Sequence, residues 1–97
     1  MYALCRTGNA MISIIAVNYN SSDLLKECFS SLAAAAVDEP FECFAIDSGS
    51  ETKDVGNLLT IRGDNIKIIL NKENIGYSKA VNQGMMYARG DFILITT

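Results

Sequence analysis

Phe41-Glu-Cys-Phe-Ala-Ile-Asp-Ser-Gly-Ser50 is the stretch of this 97-residue chain whose reading decides the fold. Residues 41–46 form a short, nearly continuous apolar run, the pattern of a strand covered on both faces. The run stops on an acid, Asp47, and a Ser-Gly-Ser turn follows that can open a helix. A carboxylate at the carboxyl end of a core strand stands where open α/β sheets bind their ligands.

The same grammar extends in both directions. Upstream, residues 11–17 (Met-Ile-Ser-Ile-Ile-Ala-Val) are a second apolar run of strand length. A polar loop over residues 18–22 follows, in which Asn20, Ser21 or Ser22 can cap a helix and Asp23 suits its positive end. Leu24, Leu25, Cys28 and Leu32 recur at helical spacing, and alanines carry that helix to about residue 36, before the turn Asp38-Glu39-Pro40. Downstream, Ser50 is a candidate cap, and Val55, Leu58 and Leu59 mark a short helix ended by Gly63-Asp64-Asn65.

Residues 66–70 read as a third strand, and a third helix starts near Ser78 with Ala80, Val81, Gly84, Met85 and Ala88 on one face. Gly90 stands where a left-handed C-terminal residue belongs, and residues 91–97 supply a fourth strand. Residues 1–10 have no period and read as a loose N-terminal arm. Strands alternating with helices at this pitch require right-handed crossovers. The expected fold is therefore α/β and doubly wound, with a mainly parallel four-stranded sheet and helices on both faces.

Composition narrows the partners. Hydrophobic residues make up 49% and charged residues 20%, which suits a packed core rather than a disordered chain. The net charge of -3 and the lack of a basic run argue against a nucleic-acid surface. Cys5, Cys28 and Cys43 show no Cys-x-x-Cys spacing and the chain has no histidine, so they read as idle thiols in a reducing cytoplasm rather than metal ligands. No apolar run reaches the ~18 residues of a membrane span.

Three polar loops leave the ends of the first three strands, and in a doubly wound sheet they lie side by side. A ligand across them meets Tyr19 as a stacking surface and Asp47 as an acceptor for ring N–H or sugar hydroxyl groups. Gly76 lets the backbone approach a diphosphate, and Lys79 adds charge one turn into the helix. Singly, each has a plainer reading: an acid ending a strand is usually a turn residue, and a first-turn lysine is usually solvated. Other nucleotide folds lack their marks here. Residues 18–22 hold no glycine for a dinucleotide fingerprint, there is no P-loop, and a hydrolase relying on Ser50 or Cys43 lacks a histidine base.

Three blocks together resemble the N-terminal half of family 2 glycosyltransferases with the GT-A fold. They are Ile12-Ser-Ile-Ile-Ala-Val-Asn-Tyr-Asn20 with Leu24-Leu25, Phe44-Ala-Ile-Asp-Ser-Gly-Ser50, and Asn74-Ile-Gly-Tyr-Ser-Lys-Ala-Val-Asn-Gln-Gly84 followed by Ala88-Arg-Gly-Asp91. The wording is most similar to bacterial rhamnosyltransferase-like members of polysaccharide biosynthesis. The resemblance implies that residues 11–97 are a nucleotide-sugar-binding half-domain, a truncated Rossmann-like unit taking a UDP- or dTDP-sugar for transfer to a saccharide or lipid-linked acceptor. It implies that the loop of Val17, Asn18 and Tyr19 packs on the base and that Asp47 meets base and ribose. Ser48 stands where many relatives carry a second acid. Gly76 and Lys79 fall near the diphosphate, and Asn74 and Asn82 brace the loops.

In that family an Asp-x-Asp motif or a variant follows the fourth strand and holds Mg2+ or Mn2+, and Thr97 precedes that point. The resemblance thus implies a metal in the full-length parent, no metal ligands among these residues, and no transfer by this chain alone. The alternative is a non-catalytic nucleotide-binding or assembly module. The fourth strand is expected to expose a sheet edge that favours a homo-oligomer, and the parent to be cytoplasmic or membrane-associated.

Overall fold

Strands and helices alternate as the apolar runs require: β1 (Ile12–Asn18), α1 (Ser22–Ala35), β2 (Phe41–Ser48), α2 (Thr52–Leu58), β3 (Ile66–Asn71), α3 (Tyr77–Tyr87) and β4 (Phe92–Thr96). This is a computed structural model that describes residues 11–35 and 40–96. The expected N-terminal arm, Cys5 and the turn after the first helix lie outside the described residues. All strand pairs are parallel, and the four-stranded sheet has the order β3-β2-β1-β4.

β1 and β2 are continuously apolar because both faces of the sheet are covered. Ile12, Ile14, Ala16, Cys43 and Ala45 meet Leu25, Phe29 and Leu32 of α1 and Leu58 of α2. Ile15, Phe44 and Ile46 point the other way, onto Ala80 of α3. Each isoleucine, leucine or phenylalanine among them contributes about 1.5–3 kcal/mol when fully buried, so the two layers together outweigh any single loop in setting the fold. Cys43 is fully enclosed in the first layer, and burial, with Cys28 and Glu42 nearby, pushes its thiol up to about 12. It is chemically inert there.

Most of each expected helix stripe faces the core: Leu25 and Leu32 of α1, Leu58 of α2, and Ala80, Val81 and Gly84 of α3 are buried, while three expected members are exposed. Leu24, Leu59 and Met85 are exposed at 69%, 45% and 45%, while Phe29, four residues from Leu25, takes the inward position. Gly90 is not a left-handed cap. α3 stops at Tyr87, with Ala88 extended at φ -65° and ψ 132°. A Cβ on Gly90 would instead lie 2.6 Å from the Ser13 amide nitrogen, so the glycine lets the chain entering β4 pass against β1.

That passage is held by a buried acid in β2. Glu42 Oε2 accepts hydrogen bonds from Ser13 Oγ at 2.6 Å and from the Arg89 amide at 2.7 Å. The Gly90 amide donates to Ser13 Oγ at 2.8 Å, and the Met11 amide to Asp91 Oδ2 at 3.0 Å. β4 is thereby fixed beside β1, while its Phe92, Ile93 and Ile95 stay 44–55% exposed.

Candidate functional site

The loops after β1, β2 and β3 meet at the carboxyl edge of the sheet, around two buried polar side chains. Parallel register places Asn18, the last residue of β1, beside Asp47 near the end of β2. They are 0% and 1% exposed. Buried polar groups must be paired, and these are. The Asn18 Nδ2 hydrogens are shared among Asp54 Oδ2 at 2.8 Å, Asp47 Oδ1 at 3.0 Å and Ser50 Oγ at 3.2 Å. Its Oδ1 accepts from Ser21 Oγ at 3.2 Å.

Ser50 closes the network, donating its hydroxyl to Asp47 Oδ1 and its amide to Asp47 Oδ2 at 3.2 Å. Asn20 adopts a left-handed φ of 51°, which brings its amide to Ser50 Oγ at 2.9 Å and its own Oδ1 to the Glu51 amide at 2.8 Å. These bonds tie the loops after β1 and β2 to each other.

Asp54 supplies the cap that local sequence was expected to give. Its Oδ1 accepts from the amide and the hydroxyl of Ser22 at 3.1 and 2.7 Å, so a carboxylate of α2 satisfies the first turn of α1. Ser50 does not cap α2 either; Glu51 takes the N-cap position with no side-chain bond. Desolvation raises the Asp54 pKa, but the hydrogen bonds from Asn18, Ser22 and Ser50 prevail and hold it below 3.8.

A folded pKa below the unfolded one means the stabilisation is complete above pH 3.8 and is lost as pH falls through the lower, folded value. Asp54→Asn should accordingly flatten the acid limb of a stability-versus-pH curve measured by urea unfolding. An acid limb unchanged from the parent chain would remove Asp54 from this role.

The other side of the site is built by the loop between β3 and α3. Ser48 Oγ donates to Asn74 Oδ1 at 3.1 Å and accepts from the Ile75 amide at 3.0 Å, and Asn74 Oδ1 also accepts from the Gly76 amide at 2.9 Å. Gly76 has φ 83° and ψ 160°, a conformation almost confined to glycine, at the N-cap of α3. A Cβ there would meet nothing within 4 Å, so backbone geometry and not crowding demands the glycine. α3 has no side-chain cap, and its first internal bond runs from the Ala80 amide to Gly76. The amides of Tyr77, Ser78 and Lys79 are thus without helical partners and suit an anion.

Between these walls lies a cleft of about 390 Å3 lined by Val17, Tyr19, Ser21, Ser48, Asn74, Gly76 and Tyr77. Tyr19 and Tyr77 are 52% and 45% exposed. Of the candidate residues, the fold brings Val17, Tyr19, Ser48, Asn74 and Gly76 together on this cleft. Asn18 and Asp47 lie beneath it, with the Asp47 carboxylate turned into the network described above. Lys79 is exposed and off the lining.

Asn82 is exposed and makes no side-chain hydrogen bond among the described residues. The bracing expected of it falls to its neighbour Gln83, which exchanges two 2.8 Å bonds with Asn71, while Asn71 Nδ2 holds the Asp47 carbonyl at 2.9 Å. Ser21, Tyr77, Asp54 and Gln83 were not foreseen as site residues. Only Ser21 carried a signal, as a candidate cap in the loop after β1.

Among the described residues no three His, Cys, Asp or Glu side chains gather as a metal site. Asp47 and Asp54 are engaged by Asn18, Ser50 and Ser22, so these residues do not fit a divalent cation. No described helix is long and apolar enough to cross a membrane.

A parallel α/β sheet carrying a polar, tyrosine-flanked cleft at its carboxyl edge is the general class defined by this geometry. Residues 13–97 match the model of Glycosyl transferase family 2, and the chain belongs to that family. It is 35% identical over 83 residues to the uncharacterized glycosyltransferase YfnE of Bacillus subtilis, an overlap covering 84% of this chain and 21% of that protein. The mannosyltransferase PcManGT of Pyrobaculum calidifontis, solved with GDP-Man and Mn2+, superposes with a TM-score of 0.70 at 21% identity, over 90% of this chain and 27% of that one. The fold is that of a GT-A half-domain, and the chain spans about a fifth to a quarter of these relatives.

Proposed function

We propose that this chain is the nucleotide-sugar-binding part of a glycosyltransferase that moves a sugar from a UDP- or dTDP-linked donor to a saccharide or lipid-linked acceptor. The observation that carries the proposal is the cleft itself. Two exposed tyrosines offer faces for a base, and the unpartnered amides at the start of α3 offer donors for a diphosphate. Family membership favours this reading over a non-catalytic assembly module. Rhamnosyl transfer in bacterial polysaccharide synthesis is the specificity suggested by the three sequence blocks.

The proposed roles follow from the contacts. Tyr19 stacks on the base, Ser48 and Asn74 shape its polar edge, and Gly76 opens the backbone toward phosphate. Asn18 and Asp47 hold the two loops in place from below. Mg2+ or Mn2+, when bound in the complete transferase, would neutralise the leaving diphosphate, and ligands for it are proposed to come from outside the described residues. On this reading the 97-residue chain binds nucleotide without turning over donor.

Titration of the chain with UDP, dTDP and GDP, followed by amide chemical shifts, tests the assignment. Shifts should centre on Tyr19, Ser48 and Gly76, and Tyr19→Ala should weaken binding by about tenfold through lost stacking. Shifts clustered anywhere else, or none with any nucleotide, would overturn it.

A further inference from the structure

A second cleft, of about 440 Å3, lies on the α3 face of the sheet and is lined by Glu42, Phe44, Lys67, Ile69, Tyr87 and Arg89. Glu42 and Lys67 are the second residues of β2 and β3, so this cleft sits toward the amino ends of the strands, away from the carboxyl-edge cleft. α3 packs on β1 and β2 and meets β3 at its carboxyl end, through Gln83 and Asn71, which leaves the amino-terminal part of β3 open beside it.

Its chemistry is specific. Glu42 is only 7% exposed, and its Oε2 is committed to Ser13 and Arg89. Its Oε1 has no hydrogen bond among the described residues, and the nearest cation, Arg89 Nε, stands 3.9 Å away with its side chain 81% exposed. A cleft-lining and largely buried carboxylate thus keeps one oxygen without a hydrogen-bond partner among the described residues. Tyr87, 58% exposed, stacks on buried Phe44 with centroids 6.5 Å apart, presenting a supported aromatic surface. Lys67 is paired in register with Phe44 and is exposed at the rim.

We infer that this cleft binds a neutral saccharide ring, at a place separate from the nucleotide. A ligand here must donate to the buried Glu42 oxygen and accept from the Arg89 and Lys67 donors. An aromatic acid pairs with the cations and leaves Glu42 unmet; a simple amine meets Glu42 and is repelled by two cations. Sugar hydroxyls both donate and accept, and the C–H face of the ring covers Tyr87 and Ile69. The polarity and the apolar floor are then satisfied by one uncharged ligand.

The test uses the full chain and a panel of methyl glycosides: hexoses, deoxyhexoses and N-acetylhexosamines. Saturation transfer and amide-shift mapping should show millimolar binding at Glu42, Lys67, Ile69 and Arg89, unchanged by saturating UDP. Tyr87→Ala should lower affinity by about tenfold. Should that variant lose its fold by circular dichroism, Lys67→Met, at an exposed position, should still weaken binding.

Three results overturn the inference: no saturation transfer from any glycoside, shifts confined to Tyr19 and Gly76, or binding of a zwitterionic amino acid such as phenylalanine with no glycoside bound. Glycoside binding by a chain indifferent to nucleotides would leave this inference standing and remove the proposed function.

Discussion

Asn18→Leu is expected to destabilise the chain by about 3 kcal/mol, because it removes the shared donor of a buried acidic network. Leucine keeps the branching of asparagine, and its bulkier methyl groups at this fully buried position add overpacking to the loss. Asp47 Oδ1 keeps the Ser50 hydroxyl, and Asp54 Oδ2 loses the 2.8 Å bond from Asn18. Asp47 is 1% exposed and has no route to water as a substitute. A loss of that size is a large fraction of the roughly 5–10 kcal/mol that holds a domain of this length.

Urea midpoints for the parent, Asn18→Leu, Asp54→Asn and the double variant form a cycle. The coupling between the two sites should be at least about 1 kcal/mol, since the two side chains share one hydrogen bond. Additive effects would show that Asn18 and Asp54 stabilise the loops independently. Nucleotide binding should fall with stability, because Val17 and Tyr19 flank Asn18 and inherit its displacement.

The two acids that organise this molecule were unequally visible in its sequence. Asp47 is conspicuous because it ends an apolar run at a turn, and its place at the carboxyl edge was legible from that alone. Its orientation was not legible, since it follows from pairing across parallel strands, Asn18 with Asp47. Glu42 has the same origin at the other end of the same strands, where register pairs it with Ser13. Reading each strand separately hides both pairs, and in the apolar run of residues 41–46 Glu42 looks merely tolerated.

Helix existence was legible from spacing, whereas helix rotation was decided by the sheet. Leu24 and Leu25 are adjacent and cannot both face the sheet; Leu25, Cys28, Phe29 and Leu32 share the inward face. Asp54 was invisible for a different reason. It caps a helix that begins 32 residues earlier, and no local rule connects them. Thus the strands and the general position of the cleft could be read directly, while the buried floor of the cleft depends on contacts between distant segments.

Gly49→Ala is the second large effect expected. Gly49 has φ 72°, which costs an L-residue about 1–2 kcal/mol by itself. The added Cβ would also lie 2.5 Å from both the Asn74 nitrogen and the Glu73 carbonyl carbon. These are backbone atoms, so relief requires moving the loop between β3 and α3. With that displacement the total should reach about 3 kcal/mol or more. The same loop carries Asn74, which ties Ser48 to Gly76, so nucleotide affinity should drop in parallel. Gly76→Ala provides the control: its φ is also positive, at 83°, but its Cβ enters open space. It should incur backbone strain alone, about 1–3 kcal/mol. Thermal and urea unfolding of both variants separates strain from crowding, and an equal or smaller loss for Gly49→Ala would mean that the two loops do not press together at the turn after Asp47.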